Sequence, residues 1–394
     1  MTLDVAAIAE ELRRLAADTA SWEHAGWSAL HAAVRDLDET DLRQRLRTAK
    51  TSWLLAQAIQ GYRGVSPCPP QPERYTVVAA DGSVLNPDRH SPLRYYVINL
   101  GIVVLAYGDA PQARMESRAR LYAGEEDLYL SDLSRRVPIS GTVLGFKRAV
   151  EELRQAAELA RSLDPPVVVL QDGTLILWGL ESQPEFVVNW ALSPFLEALA
   201  ALRDARVPVA GFISYPGSSD VMNVMRVSVC DYPLRGMPVN CDHCRARILT
   251  EGHRPACDIL PDVSDRVLFE QVFKLTPGER SPVYASASTI LERYPEADRI
   301  HFFYLHTGAE VARVEIPAWV ARDQAMLDLL HAAIIDQCSR ARGYPLALQE
   351  AHELAVIRAE ERREVEILVD RMLAQHGVVL RRSAKERSKR GRYV

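Results

Sequence analysis

Two short stretches of the sequence end in an aspartate that follows an apolar run and precedes a glycine. They are Val77–Ser83 (VVAADGS) and Val167–Thr174 (VVVLQDGT). An apolar run bounded by glycine predicts a strand that is buried on both faces. Asp81 and Asp172 therefore end predicted strands, at the edge of a sheet where open α/β folds bind their ligands. Two carboxylates that meet at such an edge favour a hard divalent cation.

Each Asp-Gly pair also has a plainer interpretation, because this dipeptide is a strong turn signal. Either pair taken alone is more typical of an ordinary turn after a strand. The shared apolar lead-in of the two pairs favours the metal site for both together. In either case the glycine lets the backbone turn away from the strand and lets a ligand come close.

Length and composition are typical of a globular protein. The chain has 394 residues, of which 48% are hydrophobic and 25% charged, which suggests two or three modules. The net charge of −5 gives no overall attraction to nucleic acid, but residues 380–394 contribute +6, which leaves −11 for the rest. Such a basic tail is typical of an arm that contacts phosphates, or of an end that only aids solubility.

The sequence predicts a cytoplasmic protein with no membrane partner. Its N-terminus is acidic and leads into a helical pattern, unlike a secretory signal. The longest nearly apolar stretch, Tyr95–Tyr107, is too short to span a bilayer. Six cysteines in a chain of this length do not indicate a disulfide framework, so a reducing compartment is expected.

The order of the predicted elements is that of an RNase H-like fold. This α/β fold has a mixed β-sheet flanked by helices, here with an N-terminal helical extension and C-terminal helices. Hydrophobic periodicity and proline content predict helices at 4–18 and 27–60, a Pro-rich linker at 66–74, the Asp81 strand, a strand at 95–106, a strand or short helix at 113–122, a helix at 141–162, the Asp172 strand, a helix at 190–204 and a strand at 207–213.

The helix predicted at 141–162 carries the third acidic position. In RNase H-like folds, carboxylates from the first strand, a helix and the next core strand bind two divalent ions. Glu151 and Glu152 are the candidates on this helix. Arg148 and Glu152 also have the spacing of an exposed i,i+4 ion pair, and local sequence alone favours that simpler role.

Short motifs in a fixed order extend from about Tyr75 to about Gly377, and together they resemble the NurA family of nucleases. NurA nucleases work with the hexameric HerA translocase in DNA end processing. The motifs are ADGS at Ala80–Ser83, KRAVEEL at Lys147–Leu153, LQDGTL at Leu170–Leu175, DRVLF at Asp265–Phe269, GERS at Gly278–Ser281, FFYL at Phe302–Leu305, ARVEIP at Ala312–Pro317 and YPLALQEAH at Tyr344–His352.

The resemblance implies a set of metal ligands and a domain division. The ligands are Asp81, Glu152, Asp172 and His352, with Glu151 as the alternative to Glu152. A histidine on an amphipathic helix, taken alone, is more often structural than a metal ligand. The resemblance favours the ligand role for His352. Beside the nuclease domain that the resemblance implies at 75–379, periodicity and composition indicate a helical region at 1–65, the linker at 66–74, a cysteine-containing insert at about 228–260 and the basic tail at 380–394.

The resemblance further implies an activity, contacts with DNA and partners. The activity is 5′→3′ exonuclease and single-strand endonuclease cleavage, by a homodimer docked on a HerA-like ATPase. Arg148, Arg280 and Arg313 are implied phosphate contacts, and Tyr304 is the match offered for an aromatic residue of the family site. A histidine ligand suits Mn²⁺ better than a purely carboxylate site does, so manganese is expected, with magnesium as the alternative.

Four cysteines form a separate candidate site. Cys241 and Cys244 are a CxxC pair, with Cys230 upstream and Cys257 downstream in a loop-rich segment. Four thiolates suit a structural tetrahedral Zn²⁺. The spacing is not the doubled CxxC of a zinc ribbon, and free thiols are the alternative.

Two other functions compete with the nuclease. One is a non-enzymatic adaptor that keeps the fold and docks on a translocase. The other is a phosphohydrolase with an aspartate nucleophile, which usually has a second aspartate two residues after the first. Ser83 and Thr174 occupy those positions here, so that pattern is missing.

Overall fold

The structure is a computed structural model, and it describes residues 5–86, 93–232, 237–252 and 255–378. The basic tail predicted at 380–394 lies outside the described residues. The helices of the described chain are α1 Val5–Arg35, α2 Glu39–Thr48, α3 Glu125–Leu128, α4 Thr142–Ala160, α5 Glu185–Asp204, α6 Asp220–Ser228, α7 Cys241–Glu251, α8 Asp265–Gln271, α9 Ala318–Ala321, α10 Gln324–Arg340, α11 Leu346–Ala355 and α12 Ala359–Gln375.

Strands and helices follow one another in the order that the sequence predicts for the central part of the chain. Their bounds are β1 Gln57–Ala58, β2 Tyr75–Leu85, β3 Tyr96–Tyr107, β4 Gln112–Tyr122, β5 Tyr129–Ser131, β6 Arg136–Pro138, β7 Val167–Asp172, β8 Val209–Ile213, β9 Tyr284–Ala285, β10 Ile300–His306 and β11 Val311–Pro317.

The chain divides into two compact units. The first unit comprises residues 1–68, 213–293 and 299–318, and the second comprises 69–212, 294–298 and 319–394, within the limits of the described ranges. The first break along the chain falls between Cys68 and Pro69, inside the Pro-rich stretch.

The second unit contains the strands that carry both aspartates. Its sheet has the order β8-β7-β2-β3-β4. The pairs β8–β7 and β7–β2 are parallel, whereas β2–β3 and β3–β4 are antiparallel. A three-strand antiparallel meander followed by two parallel strands on the far side of the first strand is the RNase H-like arrangement, which confirms the predicted fold class.

Helices cover both faces of this sheet. Ile98, Leu100 and Ile102 of β3 pack with Val143 and Leu144 of α4 on one face. The alternate residues of β3 point to the other face, because side chains alternate along a strand. There α11 lies so close that a Cβ on Gly101 would stand 2.0 Å from the carbonyl oxygen of Ala351.

The first unit contributes four further strands to the nine-stranded sheet and has its own core. In it β1, β9, β10 and β11 pair in that order, all antiparallel. Its core combines aromatic residues of the strands, such as Tyr284 and Phe302, with Leu30 of α1 and Leu42 of α2. The N-terminal helices thus take part in a packed core.

Besides an interruption at 36–38, where Asp38 caps α2, the N-terminal helices differ from their prediction in two ways. First, α1 is continuous through 19–26, where a break was expected. Gly26 on this helix faces the backbone of Ile259, which a Cβ would approach to 3.1 Å. Second, residues 49–60 are not helical, because the backbone of Lys50 instead hydrogen-bonds to Val239 and Cys241.

One helix, α5, is long and apolar enough to be compared with a membrane span. Val187 of α5 is buried in the core beside α4, and Pro194 lies inside the helix. A core helix passes the same test of length and composition, so this match is weak support for a membrane span.

Candidate metal centre

Asp81 lies in the middle of β2, and the strand does not end there as the sequence suggested. The parallel pairing with β7 stops at Ala80, while the antiparallel pairing with β3 continues to Leu85. Asp81 therefore stands where β2 leaves one neighbour and keeps the other. It pairs across the ladder with Gly101, on the face that α11 covers. There His352 Nδ1 lies 2.8 Å from Asp81 Oδ2.

The missing side chain of Gly101 explains how His352 reaches Asp81. The backbone of α11 lies against β3 at Gly101, where any larger residue would collide with the carbonyl of Ala351. The next residue of the helix is His352 itself, whose side chain remains 57% exposed beside the nearly buried Asp81. The helix therefore delivers an imidazole to the carboxylate while leaving room for a ligand from solvent.

Asp172 is the last residue of β7 and reaches solvent at the edge of the sheet. Gly173 follows with φ of +85°, a conformation that favours glycine and turns the backbone away after this aspartate. Tyr344 donates its hydroxyl to Asp172 Oδ1 at 2.8 Å. Surrounding protein atoms raise the pKa of Asp172, and the negative charge of Asp81 acts in the same direction.

Glu152 approaches the site from α4, on the opposite face of the sheet. It packs against Gly82, where a Cβ would lie 2.7 Å from Glu152 Oε1. Arg148 Nε lies 3.2 Å from that oxygen, and Arg148 also donates to the carbonyl of Gly82 at 3.0 Å. Burial raises the pKa of Glu152 well above its usual range; Arg148 opposes this rise, whereas Asp81 and Asp172 add to it.

Three of the four predicted ligands meet. Ligand atoms of Asp81, Asp172 and His352 lie within 4.8 Å of one another, which no other group of three acids, histidines or cysteines achieves in the described part of the chain. Glu152 lies outside this group, but its Oε1 is buried and accepts no hydrogen bond from the residues described. A buried carboxylate oxygen that has only the Arg148 ion pair for compensation, near two further carboxylates, fits a divalent cation, because oxygen and imidazole are ligands of Mn²⁺ and Mg²⁺.

Polar contacts fix both ends of α11, which carries His352. At its start, Gln337 Oε1 accepts the backbone N–H of Ala347 at 3.0 Å. At its end, Asn99 Nδ2 donates to the carbonyls of Leu354 and Ala355 at 3.0 and 2.9 Å. These contacts satisfy backbone groups that a helix end leaves without an intrahelical partner, and they hold the helix against the sheet.

Glu151 does not point to the site. Its carboxylate lies 3.9 Å from Lys147 and 3.7 Å from Arg154, the ion pairs expected on a helix surface. The structure therefore favours Glu152 as the acidic residue of α4. Arg148, which the sequence assigned to DNA, is half-exposed beside Glu152 and remains available to a ligand.

Arg280, Arg313 and Tyr304 belong to the first unit and are buried there. The guanidinium of Arg313 is 3% exposed and pairs with Asp220 and Glu315, so it presents no face to a phosphate. Arg280 donates to the carbonyl of Ser281 in an equally enclosed position. The expectation that these two arginines contact DNA is corrected by their burial. Tyr304 donates to Asp265 at 2.7 Å, so it is not the aromatic residue of the metal centre.

Tyr344 is the residue that sequence reasoning missed. It belongs to the YPLALQEAH motif but was given no role. Its position immediately before Pro345, at the start of the helix that carries His352, was the available signal. Burial and the neighbouring Asp172 raise the pKa of Tyr344, so its hydroxyl stays protonated and can act as a donor.

The four cysteines of the insert lie near one another in the first unit. All are free thiols. Burial raises the pKa of Cys257 to about 12, and the neighbouring thiols of Cys230, Cys241 and Cys244 contribute to the rise. Their sulfur atoms are nevertheless not gathered within the 4.8 Å that unites the carboxylate site.

The sheet order defines an RNase H-like fold, and the acidic edge is its candidate metal centre. The chain belongs to the NurA family: the family model, described as the NurA domain, matches residues 75–357. That range includes every residue of the metal centre. No curated protein matches the chain.

Solved structures similar to this chain include two nucleases. One is LC9-RNase H1, a type 1 RNase H with the type 2 active-site motif, at 16% identity and a TM-score of 0.19 over 40% of this chain and 70% of that one. The other is Ciona intestinalis endonuclease V, in complex with a DNA that contains inosine, at 13% identity and a TM-score of 0.25 over 85% and 98%. Similarity at this level carries no argument about function.

Proposed function

We propose that this protein is a metal-dependent DNA nuclease whose ion or ions are held by Asp81, Glu152, Asp172 and His352. The observation that carries the proposal is the convergence of two carboxylates and one imidazole, those of Asp81, Asp172 and His352, at the edge of the sheet, with the buried carboxylate of Glu152 beyond them. Their negative charges meet one another, and the compensating groups within hydrogen-bond distance are few. Such a site gains free energy when a divalent cation enters it.

A pair of divalent ions at this site would activate the attacking water and stabilise the departing 3′ oxygen of a phosphodiester. The protein groups bind and orient. Asp81 and Asp172 present carboxylate oxygens from adjacent strands, and His352 closes the side that α11 covers. Tyr344 keeps Asp172 in place through its hydrogen bond. Arg148, half-exposed beside Glu152, offers a cation to the phosphate.

The finer features of the activity follow from membership of the family. We propose 5′→3′ exonuclease and single-strand endonuclease cleavage, in DNA end resection and double-strand break repair in the cytoplasm. We propose that the active form is a homodimer docked on a HerA-like hexameric ATPase. The net charge of −11 outside the tail supports the need for such a motor, because an acidic body repels DNA.

Manganese is proposed as the preferred ion, with magnesium as the alternative, because the imidazole of His352 completes the ligand set. A structural Zn²⁺ on Cys230, Cys241, Cys244 and Cys257 is a second metal proposal, supported by the CxxC pair of Cys241 and Cys244 and by the electrostatic effect of the other three thiols on the pKa of Cys257. Elemental analysis of the purified protein tests it. One equivalent of zinc, lost in a Cys241→Ser, Cys244→Ser double variant, is expected; a zinc-free native protein contradicts it.

The nuclease proposal is tested by degradation of linear DNA labelled at the 5′ or the 3′ end. The wild type and Asp172→Ala are compared in EDTA, Mg²⁺ and Mn²⁺, with and without a HerA-like ATPase. Cleavage by the wild type alone, and only with metal, is expected, and the two labels report the polarity. A folded wild type that cuts no DNA under any of these conditions overturns the proposal in favour of an adaptor.

A further inference from the structure

The loop that follows Asp172 presents one large aromatic side chain to solvent. The loop reads Leu175-Ile176-Leu177-Trp178, and its first three residues are buried. Trp178, the largest of the four, is 40% exposed. Tryptophan combines a large apolar face with a polar N–H, so a partly exposed one offers a flat contact surface to a ligand.

The ring of Trp178 is held in place. Its indole Nε1–H donates to Thr174 Oγ1 at 3.2 Å, and the same hydroxyl accepts the backbone N–H of Ile176 at 2.9 Å. The loop beneath is anchored as well, because Tyr294 donates its hydroxyl to the carbonyl of Leu175 at 3.2 Å. The aromatic face is therefore pre-organised, and binding a flat ligand costs little further ordering.

The loop also sets where that face lies. Thr174 is two residues after the metal-site Asp172 and leaves the same edge of the sheet. Two residues of chain span at most about 7 Å, so the hydrogen bond from Trp178 to Thr174 keeps the indole within roughly 13 Å of the Asp172 backbone. A polynucleotide chain bound at the metal centre places bases at such distances from the bond that is cut.

We propose that Trp178 is a base-stacking residue that holds one unpaired nucleobase of the DNA strand beside the metal centre. The proposal rests on the nuclease function proposed above and adds a binding subsite to it. Every base has a π-face, so one fixed ring binds single-stranded DNA without reading its sequence. Within the loop, Trp178 alone offers exposed apolar surface, which matches the size of one base better than that of a protein interface.

The first test compares Trp178→Ala, Trp178→Leu and Trp178→Phe for binding of a labelled single-stranded oligonucleotide in EDTA and for cleavage in Mn²⁺. Removal of one stacked base weakens binding about tenfold or more. We expect Trp178→Ala and Trp178→Leu to raise both Kd and KM by that factor, with kcat within about twofold. Trp178→Phe should retain most of the affinity. Leu133→Ala, which removes an exposed apolar side chain elsewhere in the unit, is the control.

A second test couples the protein change to a change in the DNA. Oligonucleotides with a single abasic site, moved one position at a time, are bound to the wild type and to Trp178→Ala. One abasic position should weaken the wild type about tenfold and leave Trp178→Ala unchanged. Equal abasic profiles for the two proteins overturn the stacking proposal, as does a Trp178→Leu variant that binds like the wild type. A wild type that neither binds nor cuts DNA instead overturns the nuclease function itself.

Discussion

The protein contains two acidic clusters, one in each unit, and their charges are balanced in opposite ways. In the first unit, Asp220, Asp265 and Glu315 are buried among donors. Arg313 pairs with Asp220 and lies 3.0 Å from Glu315. Asp265 accepts the hydroxyl of Tyr304 and two backbone N–H groups at the start of α6, at 2.7–3.0 Å. This cluster is complete without any group from outside the protein.

In the second unit, the acids face one another. Burial raises the pKa of Glu152, and Asp81 and Asp172 add to the rise, while Arg148 and the backbone of Gly82 oppose it. A raised pKa does not by itself distinguish the two clusters. Burial raises the pKa of Asp265 to about 7, even though Asp265 accepts backbone N–H groups at the start of α6. The distinction lies in the partners. Acids met by protein donors stabilise the fold, whereas acids that meet one another at an exposed edge are the ones for which we propose a bound cation.

The largest effect that tests this comparison is expected from Asp81→Asn. Loss of one metal-binding oxygen removes several kcal/mol of transition-state stabilisation, which is about a 10³-fold fall in rate or more. Thermal stability in EDTA should stay the same or rise, because one of three mutually repelling charges is gone. Initial rates on labelled DNA and melting curves of the same preparation measure both quantities.

Two controls match Asp81→Asn: one changes an exposed acid outside both clusters, and the other changes a buried acid of the first-unit cluster. Asp164→Asn changes an exposed acid that precedes β7 and should alter neither rate nor stability. Asp265→Asn should lower the free energy of unfolding by about 1–3 kcal/mol, through a poorer hydrogen-bond set, and leave the rate per folded molecule intact. Wild-type DNA cleavage by Asp81→Asn would contradict the catalytic assignment of the second-unit cluster. Loss of cleavage in a fully folded Asp265→Asn would contradict the structural assignment of the first-unit cluster.

The next largest effect is expected from Arg313→Met in the first unit. Removal of one partner from a buried ion pair leaves Asp220 and Glu315 uncompensated and costs about 3–5 kcal/mol of stability. Urea unfolding curves measure the loss. The control Arg245→Met removes an exposed arginine from the same unit and should change stability by less than about 0.5 kcal/mol.

The Arg313 variant also tests whether this arginine contacts DNA. While it remains folded, its affinity for an oligonucleotide and the salt dependence of that affinity should equal those of the wild type, because the guanidinium is enclosed. A weaker affinity with a shallower salt slope would restore the phosphate contact that the sequence suggested.

A smaller effect is expected from Asn99→Leu, which removes the amide that holds the end of α11. Two hydrogen bonds to helix carbonyls are lost, and His352 is positioned less firmly. We expect the Mn²⁺ concentration for half-maximal stabilisation against heat to rise about tenfold, with a similar shift in the activity titration. Ser117→Ala removes a hydroxyl that supports only the Asn99 carbonyl and should have a weaker effect. Equal Mn²⁺ titrations for wild type and Asn99→Leu would exclude the positioning role.

The sequence predicted the sheet and the strands of its two aspartates well, because continuous apolar runs of β-branched residues are typical of central strands that are buried on both faces. It could not distinguish the two Asp-Gly pairs. Gly173 is required for its left-handed backbone, whereas Gly82 continues a strand and makes room for Glu152. The two glycines are therefore required for different reasons, and these reasons depend on the backbone conformation and packing at each position, which the dipeptide sequence does not report.

The residues that sequence reasoning misplaced share one physical cause. Arg280, Arg313 and Tyr304 are types that contact nucleic acid when exposed, and local sequence does not report burial. Tyr344 was missed for the converse reason, since its contact with Asp172 joins positions 172 residues apart. Similarly, Glu152 was separable from Glu151 only by the resemblance until the face of α4 that packs on Gly82 was known.

The last prediction concerns pH and uses Glu152→Gln in the absence of metal. The folded pKa of Glu152 is raised above its usual 4.5, chiefly by burial. The protonated form is therefore favoured by the fold, and its contribution to stability is fully present below about pH 4.5 and is lost as the pH rises through the folded value. Glutamine is neutral at every pH and avoids that loss. In EDTA, Glu152→Gln should match the wild type near pH 4.5 and exceed its stability increasingly toward neutral pH.

Melting temperatures measured across this pH range give the difference directly, and contributions from other titrating groups, such as Asp265, cancel between the two proteins. Mn²⁺ should stabilise the wild type more than Glu152→Gln, because the cation binds the ionised carboxylate of Glu152. It should therefore reduce or reverse the difference in melting temperature between the two proteins at neutral pH. Glu151→Gln, one residue away on the same helix, should follow the wild type in both conditions. Parallel curves for the wild type and Glu152→Gln would mean that Glu152 carries no unbalanced charge, and would leave the metal centre to Asp81, Asp172 and His352 alone.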